Sequence, residues 1–155
     1  MFEKAKIYNT VGDWDASIAI YDEILTGKKK LTSNKKIDAM SDKARIALFN
    51  ADILKSGALI EETKKINDAG GDWDRRNRLK IYEALYLILN RNIKEAAPLL
   101  LECIETFTCV ELCSYQSFIF YAVLCNIISL PRTDLYKKVI KNPQVIAMIG
   151  WVFDS

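Results

Sequence analysis

Apolar residues recur every three or four positions along most of this chain, which is the spacing that places side chains on one face of an α-helix. Short polar or glycine-containing turns interrupt the pattern, and no segment shows the alternation that is typical of a strand. The pattern therefore predicts an all-α fold of about four helix pairs, at residues 1–26, 35–69, 72–107 and 112–150. The second pair is expected to divide into helices at 35–55 and 58–69.

The first pair carries the side chains of a helical hairpin of the tetratricopeptide (TPR) type. Ala5 and Ser17 are small, Gly12 makes the turn between the helices, and Tyr21 follows Ser17 by four residues. Small residues are needed where two helices cross closely, because a large side chain would push them apart. Since such hairpins stack side by side, we expect residues 1–155 to form one helical-repeat domain, a right-handed α-solenoid.

Residues 70–80 predict a tight turn that opens a long central helix. Gly70 and Gly71 would allow a left-handed turn, and the Asp72 carboxylate would cap the new helix by accepting its first amide hydrogens. Asp74 adds a negative charge where the helix dipole favours one. Trp73 is expected to be a buried wedge between the second and third hairpins. The helix that follows is apolar on almost every side, so it should have neighbours all round.

The basic residues of this turn divide by helix face. We expect Arg75 and Arg78 to be half-buried, because each shares a face with apolar residues. Their guanidinium groups would be held by the acids at the helix start or by an acid of a neighbouring hairpin. Asp72 and Arg76 stand four residues apart, the spacing of a helical ion pair. Arg76 and Lys80 fall on a largely polar side, which predicts exposed cations that could contact an acidic partner protein.

The sequence offers little for catalysis. It contains no histidine and no glycine-rich phosphate-binding motif, so we expect no enzyme activity, no cofactor and no small-molecule ligand. The cysteines form no C-x-x-C pair and have no histidine partners, which predicts buried free thiols in preference to metal ligands or a disulfide. They are Cys103, Cys109, Cys113 and Cys125.

The charge is nearly balanced, with 22 Lys and Arg against 20 Asp and Glu, so there is no general reason to expect nucleic acid. The connector before the second pair is locally basic, with Lys28, Lys29, Lys30, Lys35 and Lys36. It is expected to be a solvated linker, with an acidic surface or RNA as the alternative contact. The first ten residues show no signal peptide, and the apolar run at 118–130 is too short and too interrupted to cross a membrane. A cytoplasmic and nuclear protein is therefore expected.

Four stretches of the chain resemble one protein family. They are GGDWDRRNRLKIYEAL at 70–85, KEAAPLLLECIETFT at 94–108, the spacing Tyr115-x-x-Phe118-x-x-Tyr121, and RTDLYKKVI at 132–140. Together they resemble the non-ATPase regulatory subunit 6 family of the 26S proteasome lid, most specifically over residues 60–146. The first subunit of the COP9 signalosome is similar in architecture but lacks the arginine-rich turn.

The resemblance implies a helical-repeat arm of the kind that leads into a PCI domain, a module with a helical part and a winged helix. It also implies a structural scaffold that joins neighbouring lid subunits, touches the ATPase ring and supports ubiquitin-dependent protein degradation. The sequence stops at Ser155 without the winged helix of such subunits, so winged-helix functions are not expected. The alternatives are a PCI/TPR-type scaffold of the COP9 signalosome and a translation-associated module that contacts nucleic acid.

Overall fold

The structure, a computed structural model, describes residues 1–27 and 31–153. Its helices are α1 (Phe2–Val11), α2 (Trp14–Thr26), α3 (Ser33–Phe49), α4 (Ile53–Gly70), α5 (Trp73–Leu89), α6 (Ile93–Glu102), α7 (Tyr115–Ser129), α8 (Arg132–Leu135) and α9 (Pro143–Phe153). A π-helical turn, Tyr136–Ile140, follows α8 directly. No strand occurs within the described ranges, and the all-α prediction is confirmed. The right-handed sense of the solenoid stays a prediction, and Lys28, Lys29 and Lys30 lie outside the described residues.

Two compact units divide the chain, residues 1–82 and 83–155. In the first unit, α1 packs against α2, α3 packs against α4, and α2 also contacts α3. In the second unit, α6 packs against α7, and α9 contacts α7 and the π-helical turn. The assignment of residues 1–155 to a single helical-repeat domain stays a prediction.

The turn between α1 and α2 has the chemistry expected from the sequence. Gly12 adopts a left-handed backbone with φ of 86°, which a glycine reaches without a steric penalty. The Asp13 carboxylate then accepts the amide hydrogen of Ala16 at 3.2 Å and caps α2. Across the pair, the buried Ser17 hydroxyl donates to the Ala5 carbonyl at 2.9 Å. The small side chains of Ala5 and Ser17 therefore allow the close helix crossing that their spacing predicts.

The core of the first unit is centred on Tyr21, which is fully buried with its hydroxyl donating to Asp42 Oδ2 at 2.8 Å. Burial, and then the neighbouring Asp42 carboxylate, raises the pKa of Tyr21 well above its usual range. Asp42 also pairs with Arg45 at 3.0 Å, so α2 and α3 are joined by a polar chain at the edge of an apolar cluster. That cluster contains Ala5, Tyr21, Ile24, Ala39 and Ile46.

The turn inside the second pair lies earlier than predicted. α3 ends at Phe49 and α4 begins at Ile53, whereas the sequence pattern placed the division near residue 56. Ala51 takes a left-handed backbone with φ of 53°, and the Asp52 carboxylate accepts the amide hydrogen of Lys55 at 3.1 Å. The N-cap aspartate sets this helix start, and Gly57 is accommodated within α4.

In the second unit, Asn126 fixes α6 against α7. Its buried side-chain amide donates to the Ala97 carbonyl of α6 at 3.2 Å and to the Ala122 carbonyl of α7 at 2.8 Å. Because Ala96 and Ala97 are completely buried, the two helices approach closely at this level. The aromatic ring of Phe118 packs beside that of Phe107, with ring centroids 4.6 Å apart.

A candidate protein-interaction surface

The start of α5 combines a close backbone approach with an aspartate cap. Gly71 has an extended backbone with φ of −76°, so the predicted left-handed turn at the two glycines is wrong. A larger residue would not fit at position 71, because a Cβ atom there would lie only 2.9 Å from the Asn67 Cα atom. Asp72 Oδ1 accepts the amide hydrogen of Arg75 at 2.9 Å, which confirms Asp72 as the helix cap. That hydrogen bond is the main reason that the pKa of Asp72 is lowered.

Arg75 anchors this turn to α3. Its Nε and Nη2 atoms donate to the two carboxylate oxygens of Asp38, at 2.9 and 2.7 Å. Its Nη1 atom donates to Asp72, and Arg75 is half-buried as predicted. The hydrogen bonds to Asp38 are the leading cause of the raised pKa of Arg75. The expected acid from a neighbouring hairpin is thus Asp38, which lies 37 residues away in sequence.

Two further predictions for this turn are confirmed, and a third is wrong. Arg78 is half-buried and Arg76 is exposed, as their helix faces indicate. Lys80 was expected to be exposed but is half-buried, because α5 is enclosed on nearly every side beyond its first turn. Asp72 pairs with Arg75, and no ion pair joins it to Arg76 within the part of the chain that the structure describes. Asp74 is exposed in the first turn of α5, and its favourable interaction with the helix dipole stays a prediction.

The prediction that Trp73 is a buried wedge is wrong. Its side chain is 67% exposed at the first position of α5, and both neighbouring aspartates, Asp72 and Asp74, are also exposed. Neighbouring side chains point in different directions around a helix axis, so a tryptophan beside exposed aspartates can face either the core or solvent. The local composition holds no signal for this difference, because the same residues at 12–15 leave Trp14 half-buried against the core of the first unit.

Trp73 and Arg76 form the candidate interaction surface, which we call the Trp73 surface. The two residues are three positions apart and therefore neighbours on the helix. Tryptophan and arginine are both enriched among the residues that dominate protein–protein affinity. Arg75 holds the backbone beneath them, so little conformational entropy would be lost when a partner binds. The arrangement can bind a partner that offers an apolar pocket beside a carboxylate.

The cysteines lie elsewhere, in the second unit. Cys103, Cys109 and Cys125 are buried and Cys113 is half-buried, and burial raises the pKa of both Cys113 and Cys125. Among the described residues, no three potential metal ligands of the His, Cys, Asp or Glu types come together. No helix in the described ranges is long and apolar enough to span a bilayer.

Comparison with known proteins identifies the family. The family model described as 26S proteasome subunit RPN7 matches residues 1–138. The chain belongs to the RPN7 family. This assignment confirms the resemblance seen in the arginine-rich turn, since relatives of this chain carry the names subunit 6 and RPN7.

Members of the RPN7 family with curated descriptions match most of the chain. The 26S proteasome regulatory subunit rpn7 of Schizosaccharomyces pombe is 38% identical over 149 residues, which cover 96% of this chain and 37% of that protein. The non-ATPase regulatory subunit 6 of Oryza sativa is 43% identical over 128 residues, covering 83% and 33%. The regulatory subunit RPN7 of Saccharomyces cerevisiae is 38% identical over 153 residues, covering 96% and 36%. The chain thus spans about a third of the length of these relatives.

Proposed function

We propose that this chain is a non-enzymatic scaffold subunit of the lid of the proteasome regulatory particle. The observation that carries the proposal is membership of the RPN7 family, whose relatives are named as proteasome regulatory subunits. Because each relative described above is a proteasome subunit, the proteasome is favoured over the signalosome and translation-associated alternatives. The name non-ATPase regulatory subunit likewise favours a role other than catalysis.

In this proposal the Trp73 surface binds a neighbouring subunit of the lid or the ATPase ring. The exposed indole of Trp73 would enter an apolar pocket, and the Arg76 guanidinium would pair with a carboxylate beside it. Lys80 is half-buried and is not part of the Trp73 surface. Assembly of this kind would support ubiquitin-dependent protein degradation, in the cytoplasm and the nucleus. Imaging of a tagged chain together with a lid subunit would check that location.

Binding of the chain to purified lid subunits and ATPase-ring subunits, measured by biolayer interferometry, tests the proposal. We expect Trp73→Ala and Arg76→Glu each to weaken binding to one of these subunits by about tenfold or more, as central interface residues do. Each variant should change the free energy of unfolding by less than about 1 kcal/mol, because both side chains are exposed.

Two exposed residues outside the Trp73 surface provide matched controls. Leu54 is 88% exposed on α4 and Arg132 is exposed on α8. Leu54→Ala and Arg132→Glu should leave binding within about twofold of the unchanged chain. If the chain bound no lid or ring subunit, the scaffold function would be refuted. If it bound them and all four variants behaved alike, the scaffold function would stand and the Trp73 surface would be the wrong site.

A further inference from the structure

One side of α7 presents five large apolar or aromatic side chains to solvent. Their exposed fractions lie between 39% and 70%, and they are Phe120, Tyr121, Leu124, Ile127 and Ile128. We call this set the α7 outer face. The opposite side of the same helix is buried and includes Phe118, Ala122 and Asn126, which packs against α6. α7 is therefore apolar on two sides, and the described part of the chain covers one of them.

The chemistry of this face restricts what can cover it. None of the 15 residues of α7 is an aspartate, glutamate, lysine or arginine. A charged side chain brought onto the face would lose its hydration without gaining a partner charge, which is costly. The occupant must therefore present a neutral, apolar surface. A second copy of α7 meets that condition, and the absence of charge removes the repulsion that would oppose pairing of identical helices.

The spacing and the area of the face also suit a second copy. Phe120, Leu124 and Ile127 are separated by steps of four and three, so their side chains can interdigitate with the same row on another helix. Given the exposed fractions, the face offers about 500 Å² per copy, or about 1,000 Å² when two copies meet. An area of that size lies at the lower limit for a specific interface and indicates a reversible association.

We propose that the chain forms a reversible homodimer in which the α7 outer faces of two copies pack together about a two-fold axis. The contact is isologous, so each copy contributes the same residues to it. Leu124 is the central residue of the face and lies nearest the axis. This inference goes beyond the scaffold function, because it uses α7 and requires no proteasome subunit.

Sedimentation equilibrium of the purified chain, from micromolar to millimolar concentration, tests the proposal. We expect a monomer–dimer equilibrium whose dissociation constant lies within that range. Leu124→Glu should weaken the dimer by about tenfold or more, because it places two carboxylates together at the axis. Mixing Leu124→Glu with Leu124→Lys should restore a dimer, since the two charges are then opposite.

Leu54→Glu is the matched control, because it introduces the same charge at an exposed leucine of α4. It should leave the dimer constant unchanged, and circular dichroism should show that both glutamate variants are folded. If Leu124→Glu were unfolded, Ile128→Glu would take its place, since Ile128 is more exposed. A chain that remained monomeric up to millimolar concentration would overturn the proposal. An equal loss of association in Leu54→Glu and Leu124→Glu would do the same.

Discussion

Replacing Arg75 with alanine should weaken the attachment of the first turn of α5 to α3. In the structure the Arg75 guanidinium donates to both carboxylate oxygens of Asp38, at 2.9 and 2.7 Å. This two-point geometry is stronger and more specific than a single ionic contact. The Arg75 side chain is 22% exposed and that of Asp38 is 36% exposed, so solvent screens the pair only in part.

The magnitude follows from that intermediate burial. Protected hydrogen bonds to charged groups contribute about 1.5–3 kcal/mol, whereas exposed ion pairs contribute about 0.2–1 kcal/mol. We therefore expect Arg75→Ala to lower the free energy of unfolding by about 1–2 kcal/mol, including the lost packing of the arginine stem. Arg76→Ala is the matched control one position along the helix, and it should cost about 0.5 kcal/mol or less because Arg76 is exposed.

Urea unfolding followed by circular dichroism measures both variants. A double-mutant cycle with Asp38→Ala separates the pair from the other consequences of each change, and we expect a coupling energy of about 1 kcal/mol. Arg75→Lys should recover only part of the loss, because an ammonium group cannot make the two parallel hydrogen bonds. A coupling energy near zero, with Arg75→Ala no more damaging than Arg76→Ala, would refute the anchoring role of Arg75.

Two further changes test the polar contacts of the first unit. Tyr21→Phe should lower the free energy of unfolding by about 1–2 kcal/mol in urea, because Asp42 loses a hydrogen-bond donor. Since burial and Asp42 raise the pKa of Tyr21 above 10.0, its contribution is complete below about pH 10 and is lost at higher pH. Stability should thus fall less steeply above pH 10 in Tyr21→Phe, and equal slopes would contradict this reasoning. The lowered pKa of Asp72, caused first by the Arg75 amide, predicts a contribution present above about pH 4 and lost as the pH falls. Acid titration of Asp72→Asn should show a flatter decline, and an unchanged decline would argue against the cap.

Much of the local structure follows from short stretches of sequence. Asp13, Asp52 and Asp72 each precede a helix and accept an amide hydrogen three residues later. A cap of this kind needs only neighbouring residues, although the prediction placed the start of α4 at residue 58, five residues after the helix start that Asp52 caps. The arginine-rich turn at 70–85 was also sufficient to indicate the family, since a family signature is a property of residue order.

The candidate site was predicted less completely. The spacing of Arg75 and Arg76 assigned them correctly to a buried and an exposed face, because a helix fixes the angle between its own side chains. The burial of Trp73 and the exposure of Lys80 were both predicted wrongly. In each case the outcome depends on whether another helix lies beside that part of α5, which helical spacing alone does not determine.

The sequence by itself determined the all-α class, the cap at Asp72, the direction of each side chain around its helix axis and the family. Only the tertiary structure decided that Asp38 is the partner of Arg75, because the two residues are 37 positions apart and meet only when the chain is folded. It also decided which side of α7 is covered. A helix that is apolar all round and carries no charge has no preferred inner side, so the choice belongs to the neighbouring helices and leaves the α7 outer face exposed.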